Sequence, residues 1–202
     1  PYHQAVEDCV IQDLADALEE SSDYRRRRED IRAWNRASPI LKRGIALTPV
    51  KFGISFTNTM LNQAGALVHV YSDGSIHLNH GGTEMGQGLN TKVAQVVAHE
   101  LGVGFDSVRV TATDTHKVAN TSATAASTGS DLNGKAAQDA ARQIKERLAA
   151  FAAARFGDGS EREAGAVTFS NDRVTVAGQT LAFADVVAQA YIDRVQLWSD
   201  GF

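Results

Sequence analysis

Apolar side chains recur every three or four residues in several stretches of the chain, a spacing that predicts amphipathic helices. The first stretch runs from Val6 to Leu18, and a second helical segment is predicted over residues 24–35. Residues 89–101 and the alanine-rich residues 131–151 predict two longer helices, and residues 184–198 predict a last one. The pattern therefore places helices at both ends of the chain and between its predicted strands.

Apolar and polar residues alternate with a period of two elsewhere, which predicts β-strands. Residues 66–71 and 75–79 alternate around Ser72-Asp73-Gly74, and an Asp-Gly pair between two such runs is typical of a hairpin. Further strands are predicted at residues 42–47, 107–113, 167–169, 173–176 and 179–183.

The order of these elements predicts the fold class. Helices alternate with strands, but several strands are joined by hairpins, which favours a mixed sheet over a purely parallel one. The predicted class is α+β, a two-layer α/β arrangement with a mixed β-sheet, hairpins, and helices packed on one face. The predicted domains are an N-terminal helical arm at residues 1–40 and an α/β domain at residues 41–202.

Composition narrows the classes of protein to consider. The 202 residues carry a formal net charge of −4, so no basic excess indicates a nucleic-acid partner. No apolar run approaches the ~18 residues that cross a membrane, and the acidic N-terminal region does not resemble a signal peptide. Cys9 is the only cysteine, which excludes an internal disulfide and a cluster held by cysteines of this chain. A cytoplasmic protein is expected, and a piece of a longer polypeptide.

Two stretches rich in small residues carry the candidate chemistry, Gly81–Gly88 and Asn120–Ser130. Each follows a predicted strand and precedes a predicted helix. Backbone N–H groups at a helix start have no acceptor within the helix, and they bind anions readily. Both stretches are therefore expected to offer free N–H groups and short hydroxyls, and to clamp one anionic cofactor between them.

The glycine-rich stretch matches no common nucleotide motif. It lacks the Gly-Lys-Ser/Thr of a Walker A loop, and Thr91 stands where a dinucleotide fingerprint has its third glycine. The amide of Gln87 can donate to and accept from a heterocycle. Glu84 is either a catalytic acid or a carboxylate that complements the helix dipole, and the second interpretation is favoured.

Two other groups of residues have structural interpretations. The histidines of the hairpin region, His69, His77 and His80, raise a metal site as an alternative, but their spacing matches no ligand set. Histidines on strands are usually satisfied by hydrogen bonds. The arginine run Arg25–Arg28 precedes two acids, which predicts a solvated helix face with local ion pairs.

The two loops resemble the molybdopterin-binding region in the large subunit of xanthine dehydrogenases, within the molybdenum hydroxylase family. The resemblance is carried by residues 81–92 and 120–134, with support from residues 48–57 and 61–66, and it extends from about Arg43 to the last residue. The segment Phe52–Thr57 favours xanthine dehydrogenases over the related aldehyde oxidases.

The resemblance implies an oxidoreductase that hydroxylates hypoxanthine and xanthine toward urate, in purine catabolism. The implied cofactor is a molybdenum–molybdopterin, with FAD, 2Fe-2S clusters and NAD in other parts of the enzyme. The pterin dithiolene holds the metal, so no side-chain metal ligand is expected. The implied partners are the purine substrate, the remainder of the molybdenum subunit, and the FAD and Fe-S domains or subunits of an oligomeric parent enzyme.

The resemblance also implies roles for individual residues. Phe56 would pack on the substrate ring, Thr57 would hydrogen-bond the substrate, and Ala126 would lie near the molybdenum. The residues implied to bind the cofactor are Met85, Gly86, Gln87, Thr124, Ala125, Ala126, Ser127, Thr128, Gly129 and Ser130.

No catalytic residue is expected in this fragment, because the family's catalytic glutamate lies in a later part of the subunit. The chain alone is therefore expected to be inactive. The alternatives are the same region of an aldehyde oxidase or another molybdenum hydroxylase and, from a different class, a non-catalytic nucleotide-binding or assembly module.

Overall fold

The structure is a computed structural model that describes residues 5, 7–50, 56, 58–118 and 121–202. It divides into two compact units, Pro1–Gly53 and Ile54–Phe202. Within the described residues, no helix is both long enough and apolar enough to cross a membrane.

The first unit is a pair of helices, α1 (Ile11–Ser21) and α2 (Tyr24–Ala37). The predicted break between them is confirmed, because Asp23 adopts a left-handed conformation with φ of 51°. The helix α2 ends before Ser38-Pro39, where the residue preceding proline disfavours helical geometry. Local ion pairs predicted for the arginine run are also confirmed, with Arg25 on Glu19 at 2.8 Å.

The strand predicted at residues 42–47 is wrong, because these residues form no regular element. The side chain of Asn35 explains the difference. Its Nδ2 donates to the carbonyl of Arg43 at 2.9 Å, and its Oδ1 accepts from the N–H of Arg43 at 2.8 Å. The end of α2 therefore takes the backbone groups that a neighbouring strand would need.

The second unit holds the sheets and the remaining helices. In chain order its elements are β1 (Ala66–Val70), β2 (Ile76–His80), α3 (Leu89–Leu101), β3 (Val108–Val110), α4 (Gly129–Phe156), α5 (Glu161–Ala166), β4 (Thr168–Ser170), β5 (Arg173–Val176), β6 (Gln179–Ala182), α6 (Phe183–Ile192) and β7 (Trp198–Gly201).

The larger sheet has the strand order β3-β2-β1-β7. The predicted hairpin joins β1 to β2 in antiparallel register, with His69 opposite His77. The strand β3 lies parallel to β2, so α3 forms the crossover between them. Both parallel and antiparallel pairs are present, which confirms the predicted α+β class with a mixed sheet.

The long helix α4 packs on this sheet through small side chains. Ala136, Ala140, Ile144 and Leu148 are buried, on the face that the periodicity predicted. A Cβ atom on Gly201 would overlap the carbonyl oxygen of Ala136, so β7 touches the backbone of α4 there. The alanine-rich pattern of α4 therefore reflects close packing of a helix on a sheet.

The last predicted helix, residues 184–198, is partly wrong. The helix α6 ends at Ile192, and the chain then adds β7 to the edge of β1, with Trp198 opposite His69. The strand sequence Trp-Ser-Asp-Gly has no β-branched residue, so its local preference for a strand is weak. Pairing with β1 and packing on α4 decide its conformation instead.

The open edge of β7 is covered by side chains from α4. Arg147 donates through Nε to the carbonyl of Gln196 at 2.9 Å and through Nη2 to the carbonyl of Trp198 at 2.8 Å. Gln143 Nε2 donates to the carbonyl of Asp200 at 3.1 Å. These carbonyl groups are therefore already bonded, which discourages another strand from pairing along this edge.

The smaller sheet is the antiparallel meander β4-β5-β6, which confirms the three short strands predicted in this region. Residues 157–165 contain most of the short helix α5. Ser160 begins this helix, because its side chain accepts a hydrogen bond from the N–H of Glu163 at 3.1 Å.

Candidate functional site

The two loops rich in small residues meet in the second unit. We name residues 81–88 loop 1 and residues 121–128 loop 2. The N–H of Thr83 donates to Oγ1 of Thr124 at 2.8 Å, which ties the loops together. A Cβ atom on Gly81 would overlap the side chain of Thr121, so the loops touch directly. Glycine fits this position because the side chain of Thr121 packs directly against the backbone of Gly81.

A cavity of about 330 Å³ lies between the two loops and the helices that follow them. Most residues implied to bind the cofactor line it; these are Met85, Gln87, Thr124, Ala125, Ala126, Ser127, Gly129 and Ser130. Gly86 and Thr128 do not line it, and Thr128 is buried with its hydroxyl donating to the carbonyl of Ala125 at 2.8 Å.

Two further residues, Leu89 and Lys92, line the cavity, although the sequence pattern did not indicate them as site residues. The position of Lys92 in the sequence indicates its place near the cavity, because it lies one helical turn after Gly88 on α3. Side chains on the first turn of a helix stay close to the loop that precedes it. Lys92 supplies a positive charge to a cavity otherwise lined by uncharged residues.

Loop 1 does not present the free N–H groups that its sequence predicts. The carboxylate of Glu84 accepts from the N–H groups of Gly86 and Gly88 at 2.9 and 3.0 Å, and from that of Asn90 at 3.0 Å. Bonding to the N–H group of Asn90, together with those of Gly88, Gly86 and Leu89, holds the pKa of Glu84 below its usual value, although desolvation opposes this shift. The dipole-complementing interpretation of Glu84 is confirmed, and the start of α3 is closed to an external anion.

The amide of Gln87 also stabilises loop 1. Its Oε1 accepts from the N–H of Met85 at 2.6 Å, and its Nε2 donates to the carbonyl of Thr83 at 2.9 Å. The amide therefore closes a ring of hydrogen bonds while the side chain lines the cavity. A heterocycle in this cavity would meet a Gln87 side chain that the loop already orients.

Loop 2 leads into a helix start that remains open. Thr128 precedes α4, but its side chain makes no capping hydrogen bond. In the described residues, nothing accepts from the backbone N–H groups of residues 129–131. Ala126 and Ser127 adopt left-handed conformations with φ of 52° and 59°, which residues other than glycine rarely do. The loop is thus held in a strained turn, and Gly129 and Ser130, whose N–H groups meet no acceptor in the described part of the chain, line the cavity.

His80 connects loop 1 to the first turn of α3 through two hydrogen bonds. It is 1% exposed, its Nδ1 accepts from the N–H of Gly82 at 3.2 Å, and its Nε2 lies 2.9 Å from Oδ1 of Asn90. The accepting Nδ1 assigns the proton to Nε2, which donates to Asn90. Burial lowers the pKa of His80 from its ordinary 6.5, although Asn90 and Glu84 oppose this shift.

This burial predicts a pH dependence of stability. Below pH 6.5 the unfolded chain binds a proton that the buried imidazole resists, so the free energy of unfolding should fall from pH 7.5 to 5.5. His80→Gln should flatten this slope and cost about 1–2 kcal/mol at pH 7.5, because Gly82 loses its acceptor. Denaturant titrations across this range test it, with the exposed His116→Gln as control. An unchanged slope in His80→Gln would contradict the assignment.

The structure does not place the two residues implied to bind substrate, Phe56 and Thr57, in the cavity lining. Phe56 is half-buried and lies outside the cavity lining, and Thr57 lies outside the described residues. The carbonyl of Phe56 accepts from Nδ2 of Asn62 at 2.9 Å. The next residue, Gln63, accepts at its carbonyl from the N–H of Ser122 at 2.9 Å. The segment that follows Phe56 is thus attached to loop 2.

The hairpin histidines have structural partners. His77 Nε2 lies 3.2 Å from Oγ1 of Thr111, and the ring of His69 stacks on Tyr71 with centroids 4.4 Å apart. The hydrogen-bonded interpretation is confirmed for His77 and His80. Within the described residues, no group of three or more histidine, cysteine, aspartate or glutamate side chains could hold a metal ion.

Comparison with known proteins now adds to this geometry. Residues 17–202 match the family described as the molybdopterin cofactor-binding domain. The chain belongs to this family. The resemblance predicted from the two loops is thereby confirmed, and the cavity lies between the segments that carried it.

The relatives are enzymes much longer than this chain. The xanthine dehydrogenase of Blastobotrys adeninivorans is 45% identical over 203 residues, which cover 100% of this chain and 13% of that protein. The nicotinate hydroxylase of Emericella nidulans is 46% identical over 179 residues, 88% of this chain and 13% of that protein. The chain thus spans only about an eighth of the length of these relatives.

A solved structure supports the fold. Quinoline 2-oxidoreductase from Pseudomonas putida 86 superposes with a TM-score of 0.70 and 18% identity, over 95% of this chain and 25% of that one. At this identity the likeness concerns the arrangement of helices and strands.

Proposed function

We propose that this chain is the molybdopterin-binding part of a molybdenum hydroxylase, and specifically of a xanthine dehydrogenase. The observation that carries the proposal is the cavity between loops 1 and 2, in a chain of the molybdopterin cofactor-binding family. The parent enzyme would be an oxidoreductase that converts hypoxanthine and xanthine toward urate. Residues 41–202 would form the cofactor domain, and residues 1–40 its helical arm.

The residues present fit an anionic pterin cofactor. The open N–H groups of residues 129–131 and the charge of Lys92 suit a phosphate-bearing tail. The small side chains of Ala125 and Ala126 leave room for a planar group, and the hydroxyls of Thr124, Ser127 and Ser130 can satisfy its polar rim.

Met85 and Gln87 would form the opposite wall. When bound, the molybdenum would supply the chemistry of substrate hydroxylation and of electron acceptance. This chain would bind and orient the cofactor, while the 2Fe-2S clusters, FAD and NAD would belong to other parts of an oligomeric, cytoplasmic enzyme. Phe56 and Thr57 would lie on the substrate side.

The proposed cofactor role is tested through Lys92. Lys92→Ala in the enzyme that contains this chain should lower the molybdenum content on the order of tenfold, because the anionic tail loses a nearby cation. The content is measured by elemental analysis, together with pterin released by acid and detected by its fluorescence. Lys135→Ala, which removes another exposed lysine near the start of α4, should retain the wild-type content. Equal losses in both variants would contradict a specific role for Lys92.

Nicotinate is a second candidate substrate, to be compared directly with the purines. The nicotinate hydroxylase is about as similar to this chain as the xanthine dehydrogenase, so a pyridine ring is an alternative to a purine. Oxidation rates with xanthine, hypoxanthine, nicotinate and an aromatic aldehyde separate the xanthine dehydrogenase, nicotinate hydroxylase and aldehyde oxidase alternatives. The 202-residue chain alone should oxidise none of them. An enzyme without molybdenum or pterin would refute the proposal and favour a non-catalytic nucleotide-binding or assembly module.

A further inference from the structure

The carboxylate of Glu84 organises the whole of loop 1. Oε1 accepts from the N–H groups of Gly86 and Gly88, and Oε2 accepts from that of Asn90 in the first turn of α3. One side chain thus bonds backbone groups on both sides of the loop-to-helix junction. The segment between Glu84 and Gly88 forms an arc that this carboxylate closes.

This arc has little intrinsic preference for its shape. Gly86 and Gly88 have φ values of 97° and 76°, and a glycine backbone samples many other conformations in the absence of constraints. Met85 and Gln87 flank Gly86 and line the cavity, whereas Glu84 does not. The positions of these two lining residues therefore depend on the hydrogen bonds of Glu84, which does not line the cavity, as well as on those of the Gln87 amide.

The carboxylate also makes the two helix starts different. At α3 a negative charge of the protein itself occupies the N–H groups, and an external anion would meet both filled donors and like charge. At α4 the N–H groups of residues 129–131 have no acceptor among the described residues, and Lys92 lies on the same cavity. Of these two helix starts, that of α4 is the one whose N–H groups the described residues leave free for an anionic group, although Asp131 places a carboxylate in its first turn.

We propose that Glu84 is a positioning residue with two effects. It holds Met85 and Gln87 in the cavity wall and, by occupying the start of α3, it confines a bound anionic group to the start of α4. The inference rests on the proposed function, since the anionic group is taken to belong to molybdopterin.

The test uses the enzyme that contains this chain, with Glu84→Ala and Glu84→Gln as variants. Glu100→Ala is the matched control, because it removes a carboxylate from the other end of α3, where Glu100 contacts Gln138 and Lys145. Backbone hydrogen exchange over residues 84–90 is measured in cofactor-free enzyme. Molybdenum per protein and the rate of cofactor loss are measured in loaded enzyme.

We expect amide exchange at Gly86, Gly88 and Asn90 to accelerate at least about tenfold in Glu84→Ala, and cofactor loss to accelerate on the order of tenfold. Glu84→Gln should be affected less, because its amide oxygen still accepts from part of the loop. Acetate is a free carboxylate that can enter the vacated helix start. It should slow both processes in Glu84→Ala, and should change neither the wild type nor Glu100→Ala.

The rescue separates positioning from a general loss of stability, which acetate would not reverse. Wild-type exchange in Glu84→Ala, faster exchange with normal cofactor retention, or a defect insensitive to acetate would each overturn the inference. Its failure is distinguishable from failure of the proposed function. A wild-type enzyme lacking molybdenum and pterin refutes the function, whereas exchange in cofactor-free enzyme still reports whether Glu84 holds loop 1.

Discussion

Replacing Gly102 by valine should lower the free energy of unfolding by about 4 kcal/mol, through overlap and backbone strain together. Gly102 ends α3 with φ of 67°, a conformation that a β-branched residue adopts only with strain. A Cβ atom there would overlap the carbonyl of Phe169 and lie 2.6 Å from the backbone N of Ser170. Backbone atoms cannot move aside as a side chain can, so the contact between α3 and the smaller sheet would open.

Gly178→Val provides the matched control for this prediction. Gly178 has φ of 76°, but a Cβ atom there would meet nothing within 4 Å. It should therefore show the strain alone, about 1–2 kcal/mol. Urea titrations of both variants measure the difference. Equal losses would show that the overlap with Phe169 contributes nothing, contrary to our expectation.

Replacing Gly81 by alanine should reduce cofactor retention in the parent enzyme on the order of a hundredfold, because a shift of about 1 Å in a binding wall has effects of this size. The added Cβ atom would lie 2.5 Å from Cβ of Thr121 and would overlap its Oγ1 and Cγ2. Loop 1 and loop 2 would have to separate, which widens the cavity between them. The molybdenum content of purified enzyme measures the effect.

A double-mutant cycle isolates the cause. Thr121→Gly removes the atoms that a residue at position 81 would meet, and its Oγ1 has no hydrogen-bond partner among the described residues, so little else is lost. The double variant Gly81→Ala/Thr121→Gly should recover most of the retention, giving a strong coupling between the positions. Additive losses would indicate that the glycine acts through something other than contact between the loops.

Local sequence signals were sufficient wherever local physics decides the structure. The Asp-Gly turn formed the expected hairpin, since Asp73 accepts from the N–H of Ser75 at 2.9 Å and Gly74 has φ of 85°. The alanine-rich helix α4 was predicted for the same reason. Periodicity and turn chemistry act within a few residues, so they can be recognised without knowledge of the fold.

Elements that depend on contacts with other elements were predicted wrongly. Trp198–Gly201 forms a strand because it pairs with β1, and residues 42–47 form none because the Asn35 side chain at the end of α2 bonds the backbone of Arg43. At the site, the pattern of small residues identified both loops. That pattern did not predict that the carboxylate of Glu84 would accept hydrogen bonds from the N–H groups of loop 1 itself. A flexible side chain can bond any of several nearby donors, and the fold decides which.

The left-handed turn of loop 2 was not indicated by the residue types either. Ala126 and Ser127 are not residues that favour positive φ, so the sequence gives no reason to expect it. The surrounding structure imposes this strain. It marks loop 2 as a segment whose conformation a bound cofactor can stabilise.

The position of β7 sets an order of events during folding. Gly201 pairs with Ala66, more than half the chain away, whereas β1 and β2 are joined by a short turn. Contacts between distant segments form late, because the intervening chain must be ordered first. During synthesis the edge of β1 remains unpaired until the residues of β7 have left the ribosome. The nascent sheet therefore exposes the edge of β1 for as long as it takes to synthesise the residues that precede β7.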